Sequence, residues 1–351
     1  MQLLQIPKRN PIKTELYLCK MSPSIKKNPN LQRLLSKLTP APEGKKFAIA
    51  VSGGTDSVAM LHLMQEWCRM KHKAICVFHV DHSMRATSSG DAAWVKNLCN
   101  EKGIEFYSRK ATEEDLAQNR QLGSEGWARN FRYSAFASML HESGADVIVT
   151  GHNSGDQAET ILMRMLRGCS WKGIHGIKSN ITLCFQDTQL RMWRPILNIS
   201  RAELSGFLKS IGQTWREDET NQTDLYLRNK IRHQLMPLME QLYNGSIEHV
   251  VALGEDAAQL QRDLHARAQR FLKKYLNNEK NDLLVSLKPE TSLRREVIRI
   301  WLEANGLGEA INRSLIERID DLWVVKNNGR SVKHSSFQVL RHKKHLNIIK
   351  A

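Results

Sequence analysis

The chain has 351 residues, 41% hydrophobic and 25% charged, which is ordinary globular usage with enough apolar material for more than one core. Its 52 lysines and arginines against 36 acidic residues leave a formal charge of +16, which favours a polyanionic partner, nucleic acid foremost, over neutral metabolites alone. The longest apolar runs fall short of the roughly 18 residues that a membrane-spanning helix needs, and the six cysteines contain no C-x-x-C pair, which argues for unpaired thiols in a reducing compartment rather than a disulfide framework or a zinc site.

Residues 1–40 carry Lys8, Arg9, Lys13, Lys20, Lys26, Lys27, Arg33 and Lys37 against Glu15 alone. They read as a basic N-terminal extension, disordered or targeting. The expected location is the cytoplasm, or a mitochondrion or plastid if this segment is a transit peptide. Pro40, Pro42 and Gly44 punctuate its end, and 47–51 then reads as a short buried strand. A glycine turn follows, and Val58, Leu61, Met64 and Cys68 recur at helical spacing. The alternation continues with strands over 74–80, 104–107 and 146–150 and helices over 91–102, 127–142 and 156–166. This order predicts an α/β fold, a mainly parallel doubly wound sheet covered on both faces, over residues 41–195. Beyond 195 the periodicity predicts a smaller helical domain over 196–351, with helices near 200–210, 224–242, 246–275, 289–304 and 312–323. A basic, strand-like tail spans 331–350.

Ser52-Gly-Gly-Thr-Asp-Ser57 lies between the first strand and its helix, where main-chain N–H groups and the helix dipole hold anions. Gly53 and Gly54 let the backbone approach phosphate closely, and the hydroxyls of Ser52 and Ser57 can donate to it. Asp56 is the informative residue, because a carboxylate in a phosphate cradle is repulsive unless Mg²⁺ lies between them. No lysine follows the glycines, which speaks against γ-phosphate transfer. Gly151-His-Asn-Ser-Gly-Asp-Gln-Ala-Glu-Thr160 closes the fourth strand. Asp156 and Glu159, three apart at a helix start, face one way and could hold Mg²⁺ or a substrate ammonium. Arg129 and Arg132, also three apart, could meet phosphate or carboxylate oxygens together.

The six-residue turn resembles the PP-loop of the N-type ATP pyrophosphatases. The further strings His79-Val-Asp-His-Ser-Met-Arg85, Glu125-Gly-Trp-Ala-Arg-Asn-Phe-Arg-Tyr133, Arg194-Pro-Ile-Leu197 with Arg201-Ala-Glu-Leu204, Glu217-Asp-Glu-Thr-Asn221 and Tyr226-Leu-Arg-Asn-Lys-Ile-Arg232 are similar to those of the tRNA(Ile)-lysidine synthase family over about residues 47–237. The family usually has aspartate where this chain has Gly155, and often histidine at Asn153. The resemblance implies ATP and Mg²⁺ as cofactors, with free lysine and a tRNA(Ile) bearing a CAU anticodon as partners. It implies ligation of lysine to C2 of the first anticodon cytidine after that base has been adenylylated. It also implies Asp56, Arg129, Asp156 and Glu159 as catalytic residues. Ser52, Gly53, Gly54, Thr55, Asp56, Ser57 and His79 would be ATP contacts, Asp56 and Asp156 metal ligands, and Arg201, Arg228, Asn229 and Arg232 tRNA contacts. A thiolase built on the same loop and a catalytically inactive RNA-binding relative stay open as alternatives, as does a homodimer.

Overall fold

The computed structural model describes residues 28–83, 88–115, 124–169, 173–216, 227–277, 282–285, 287, 289–325 and 329–350. Most of the basic extension lies outside these residues, as do Met84 and Arg85, the side chain of Glu125, and Glu217 to Tyr226. The chain divides into two compact units between Ala252 and Leu253.

In the first unit, β1 (Lys46–Ala50), α2 (Thr55–Met70), β2 (Ala74–Asp81), α3 (Ser88–Lys102), β3 (Glu105–Lys110), α4 (Ser124–Ser143), β4 (Val147–Val149) and α5 (Ser154–Leu166) alternate as predicted. A hairpin of β5 (Asn180–Phe185) and β6 (Thr188–Trp193) follows. The strand order is β3-β2-β1-β4-β6-β5, parallel except for the antiparallel edge strand β5. Phe47, Ala48 and Ile49 of β1 are wholly buried, because helices cover both faces. Phe47, Ile49, Val77 and Val149 pack toward α2 and α6 (Arg201–Ser210), whereas Ala48, Phe78, Ile148 and Met192 pack toward Tyr133, Phe136 and Met139 of α4.

The chain steps outward from β1 through β2 to β3 and then returns to place β4 on the other side of β1. Connections therefore diverge above the tips of β1 and β4, the switch point where open α/β sheets bind ligands. The last part of the predicted extension is folded: α1 (Pro29–Ser36) buries Leu31 and Leu34 in the core, and Thr39 donates its hydroxyl to the Arg194 carbonyl at 2.9 Å. The unit continues through α7 (Leu227–Lys230), a π-helical turn over Ile231–Leu235 and α8 (Met236–Leu242), so these helical segments belong with the sheet by contact.

The boundary between units falls inside α9 (Ser246–Tyr275). The second unit packs α10 (Thr291–Ala304) and α11 (Arg313–Val324) on a five-stranded sheet of β7 (Leu276–Asn277), β8 (Asp282–Leu284), β9 (Ser331–Lys333), β10 (Phe337–His342) and β11 (His345–Lys350). Trp301, Trp323 and Phe337 centre its core. Arg341, counted by sequence with the basic tail, is 8% exposed and donates to the carbonyls of Leu322 and Trp323, capping α11.

His62 of α2 is 1% exposed and pairs its Nε2 with Gln213 at 3.0 Å, while its Nδ1 has no partner. Burial, aided by the charge of Lys102, pulls it down to about 4. The unfolded chain therefore takes up a proton below pH 6.5 that the folded chain refuses until about 4, so this histidine's stability contribution is whole above 6.5 and is lost as pH falls. Urea titrations should show the stability gap between wild type and His62→Leu shrinking by about 2 kcal/mol from pH 7 to pH 5. A constant gap would contradict this.

Candidate active site

The turn after β1 folds onto one hydroxyl. Ser57 Oγ accepts the N–H groups of Ser52 and Gly53, both at 3.2 Å, and donates to the Gly54 carbonyl at 3.0 Å. Gly53 has φ +102°, a conformation that L side chains rarely adopt. From across the switch point, Gly151 packs against the head of α2, where a Cβ would make ordinary contact with the Ser57 backbone at 3.4 Å. Thr55 opens α2 and is buried.

Asp56 lies at this junction with Oδ1 buried and without a partner. Burial raises its pKa, as does the nearby carboxylate of Asp156, while Arg201, a side-chain hydrogen bond with Asn153 and Arg232 act in the opposite sense. Asp56 and Asp156 thus share one electrostatic neighbourhood. Asp156 and Asn153 form a reciprocal capping box on α5, so the helix start that presents Asp156 and Glu159 is fixed by the sequence itself. The two departures from the family pattern are neighbours: a Cβ at Gly155 would lie 3.1 Å from Asn153 Oδ1, crowding the cap.

Glu159 is 2% exposed and compensated at both oxygens, by Arg228 Nε at 2.6 Å and Arg232 Nε at 2.5 Å. Arg228 Nη2 also reaches Asp156 Oδ1 at 2.5 Å. Two residues read from sequence as RNA contacts are therefore tied to the two acids of α5. Asn229, half-buried, shares their helical turn, and Arg201 is exposed at the head of α6. Arg129 is exposed on α4, its guanidinium 5.1 Å from the centroid of the Tyr133 ring.

His79 sits beneath the glycine turn. It is 4% exposed, bonded through Nδ1 to the Val51 carbonyl at 2.8 Å and stacked near Phe106. Sequence reasoning missed Arg216, whose N–H donates to the Gly53 carbonyl at 2.9 Å while its Nε pairs with Asp91. Its place just before Glu217-Asp-Glu-Thr-Asn221 was the only sequence signal for it. The loop 173–177, whose glycines are similar to a family segment, is held to α5 by Arg164 and Gln157 through bonds to Gly173, Gly176 and Ile177. Burial pushes the thiols of Cys68, Cys76 and Cys99 up to about 12, which leaves them poor nucleophiles.

Arg232→Met should cost about 1–3 kcal/mol in denaturant titration, because the buried carboxylate loses one of its two cations. The double variant with Glu159→Met should recover part of that loss, since no buried charge is then left underpaired. A double variant no more stable than the single one would contradict this view of the pair.

The sequence family described as a PP-loop domain matches residues 26–239. A tRNA(Ile)-lysidine synthase from Parasynechococcus marenigrum is 32% identical over 297 residues, covering 83% of this chain and 84% of that one. Another from Nitratidesulfovibrio vulgaris is 36% identical over 202 residues, covering 58% of this chain and 56% of its own length. Among solved structures, the U34-tRNA thiolase NcsA from Methanococcus maripaludis superposes with a TM-score of 0.51 at 17% identity, covering 65% of this chain and 77% of that one, a likeness of fold alone. With its glycine turn, acids and ordered motifs falling inside the matched span, this chain belongs to the tRNA(Ile)-lysidine synthase family of PP-loop proteins.

Proposed function

We propose that this protein is an ATP-dependent carbon–nitrogen ligase that joins free lysine to C2 of the cytidine at the first anticodon position of tRNA(Ile) with a CAU anticodon. The observation that carries this reading is Asp56, a carboxylate with one buried, unpartnered oxygen at the mouth of a glycine turn, close to a second acid. Such an oxygen fits a divalent cation. Mg²⁺ ordinarily takes one or two protein carboxylates and completes its octahedron with phosphate oxygens and water. The described residues contain no group of three or more His, Cys, Asp or Glu that could hold a metal alone, which agrees with a cation shared with the nucleotide. Asp56 and Asp156 would hold it, and when bound it spreads charge over the polyphosphate.

The residues of the chain then have separable tasks. Ser52 to Ser57 grip the phosphates through main-chain N–H groups and hydroxyls, while His79 and Arg216 hold the turn in shape. The O2 of cytosine attacks the α-phosphorus, and the α–β anhydride breaks to release pyrophosphate. The lysine ε-nitrogen, after losing a proton, bonds to C2, and AMP leaves carrying the former O2. Asp156 or Glu159 would accept that proton; guanidinium groups bind both oxygens of Glu159, and Arg228 and the Asn153 N–H bind those of Asp156. Arg129, exposed on α4, would steady the activated base. Arg201 and Asn229 would contact the RNA, with Arg228 and Arg232 acting first on the acids.

The exposed residues Lys343 and Lys344, in the turn between β10 and β11, would meet the tRNA body. Charge reversal at both should weaken tRNA binding and flatten its salt dependence without moving the KM for lysine, and binding unchanged across a salt titration would remove that role.

Radiolabelled lysine should enter a CAU-anticodon tRNA(Ile) transcript only with ATP, and Asp56→Ala should lower the rate on the order of 10²-fold or more. Because burial raises the pKa of Asp56, its ionised form destabilises the fold at neutral pH. Asp56→Asn should therefore raise the melting temperature at pH 7 while removing activity, with the gain fading as pH approaches 4. Lysine transfer retained in Asp56→Asn, or no gain in stability, would contradict the assignment.

A further inference from the structure

Arg194 follows β6 and is more than nine-tenths buried, at 8% exposure. Its Nη1 donates to the Lys178 carbonyl at 2.6 Å, but its Nε is buried without a partner. A main-chain bond from Thr150 to the Trp193 carbonyl, 2.9 Å, sets the tips of β4 and β6 side by side, and the charge of Arg194 acts on His152. On the α4 side, Arg129 and Arg132 flank the Tyr133 ring, their guanidinium carbons 5.1 and 5.9 Å from its centroid.

Among the described residues, no carboxylate forms an ion pair with Arg129, Arg132 or Arg194, whereas the neighbouring Arg228 and Arg232 hold acids. Burial and the surrounding guanidiniums depress Arg132 and Arg194 and pull His152 to about 3, so the imidazole adds no charge at neutral pH. Buried cations of one sign are costly unless an anion compensates them. The planar fork of arginine suits a carboxylate.

We propose that Arg194 and Arg132 form the seat of the α-carboxylate of the amino-acid substrate, making Arg194 a specificity-determining residue. The proposal rests on the ligase reading above and adds which end of the amino acid is read here. The depth of Arg194 favours a free carboxylate over an RNA phosphate, which brings its flanking sugars with it. The acids of α5, held by Arg228, suit the ammonium groups of the same zwitterion.

The test compares lysine with lysinamide, which replaces the carboxylate by a neutral amide, in single-turnover ligation by the full chain. Arg194→Lys, which keeps the charge and loses the fork, should raise the KM for lysine about tenfold or more. With lysinamide, the ratio of wild-type to variant kcat/KM should fall close to one. Should Arg194→Lys fail to fold, Arg132→Gln carries the same expectation. Equal losses with lysine and lysinamide would overturn the proposal. So would an unchanged lysine KM with weaker tRNA binding and a shallower salt slope, which would assign the cluster to an RNA phosphate. A wild-type protein that ligates no lysine would overturn the ligase reading itself, a result distinct from either.

Discussion

Charge withdrawn from water at the tips of β1 and β4 is the constraint around which the first unit is organised. Asp56, Asp156 and Glu159 converge there from two helix starts, and three like charges could not share a partly buried crevice without compensation. Compensation comes unevenly. Glu159 is paired at both oxygens, Asp156 shares Arg228 and the Asn153 N–H, and Asp56 keeps one buried oxygen with no partner. The pairing thus grades from a fully paired acid to an underpaired one: Glu159 ties the 227–235 segment to α5, and Asp56 is the acid that the proposed function assigns to a cation.

The opposite imbalance occurs a short way along the same sheet edge, where, among the described residues, no carboxylate forms an ion pair with Arg132 or Arg194 and the Arg194 Nε is buried without a partner. An active site that leaves a carboxylate short of a cation and a guanidinium short of an anion gives up stability in the free protein, and its ligands restore it. ATP with its metal would answer the first deficit and an amino acid the second. Arg228 itself is tied to Asp156 and Glu159.

Much of this was legible in the chain. The β1, β2, β3 and β4 strands and their helices fall where hydrophobic periodicity puts them, and the spacing of Ser52-Gly-Gly-Thr-Asp-Ser57 singled out Asp56 before any coordinates. The hairpin of β5 and β6 was not visible, because its turn at Gln186 and Asp187 takes positive φ at two residues without a glycine to announce it. The pairing of Arg228 with Glu159 spans 69 positions, and local spacing cannot report which distant side chain answers a buried charge. His79 shows the same limit differently. Strand alternation put it at the right tip, but only packing reveals that its ring supports the turn from below through the Val51 carbonyl. Arg194 stood inside a motif, yet its importance comes from depth, which sequence does not carry.

The central claim is that Asp56 and the turn from Ser52 to Ser57 together hold a metal-bound triphosphate. Crystals grown with Mn²⁺ and a non-hydrolysable ATP analogue would test it through the anomalous signal of the metal. The account predicts a Mn²⁺ peak within bonding distance of the Asp56 carboxylate, bridged to phosphate oxygens that meet the N–H groups of the turn. Nucleotide bound with its phosphates elsewhere, or a metal bound away from Asp56, would contradict it.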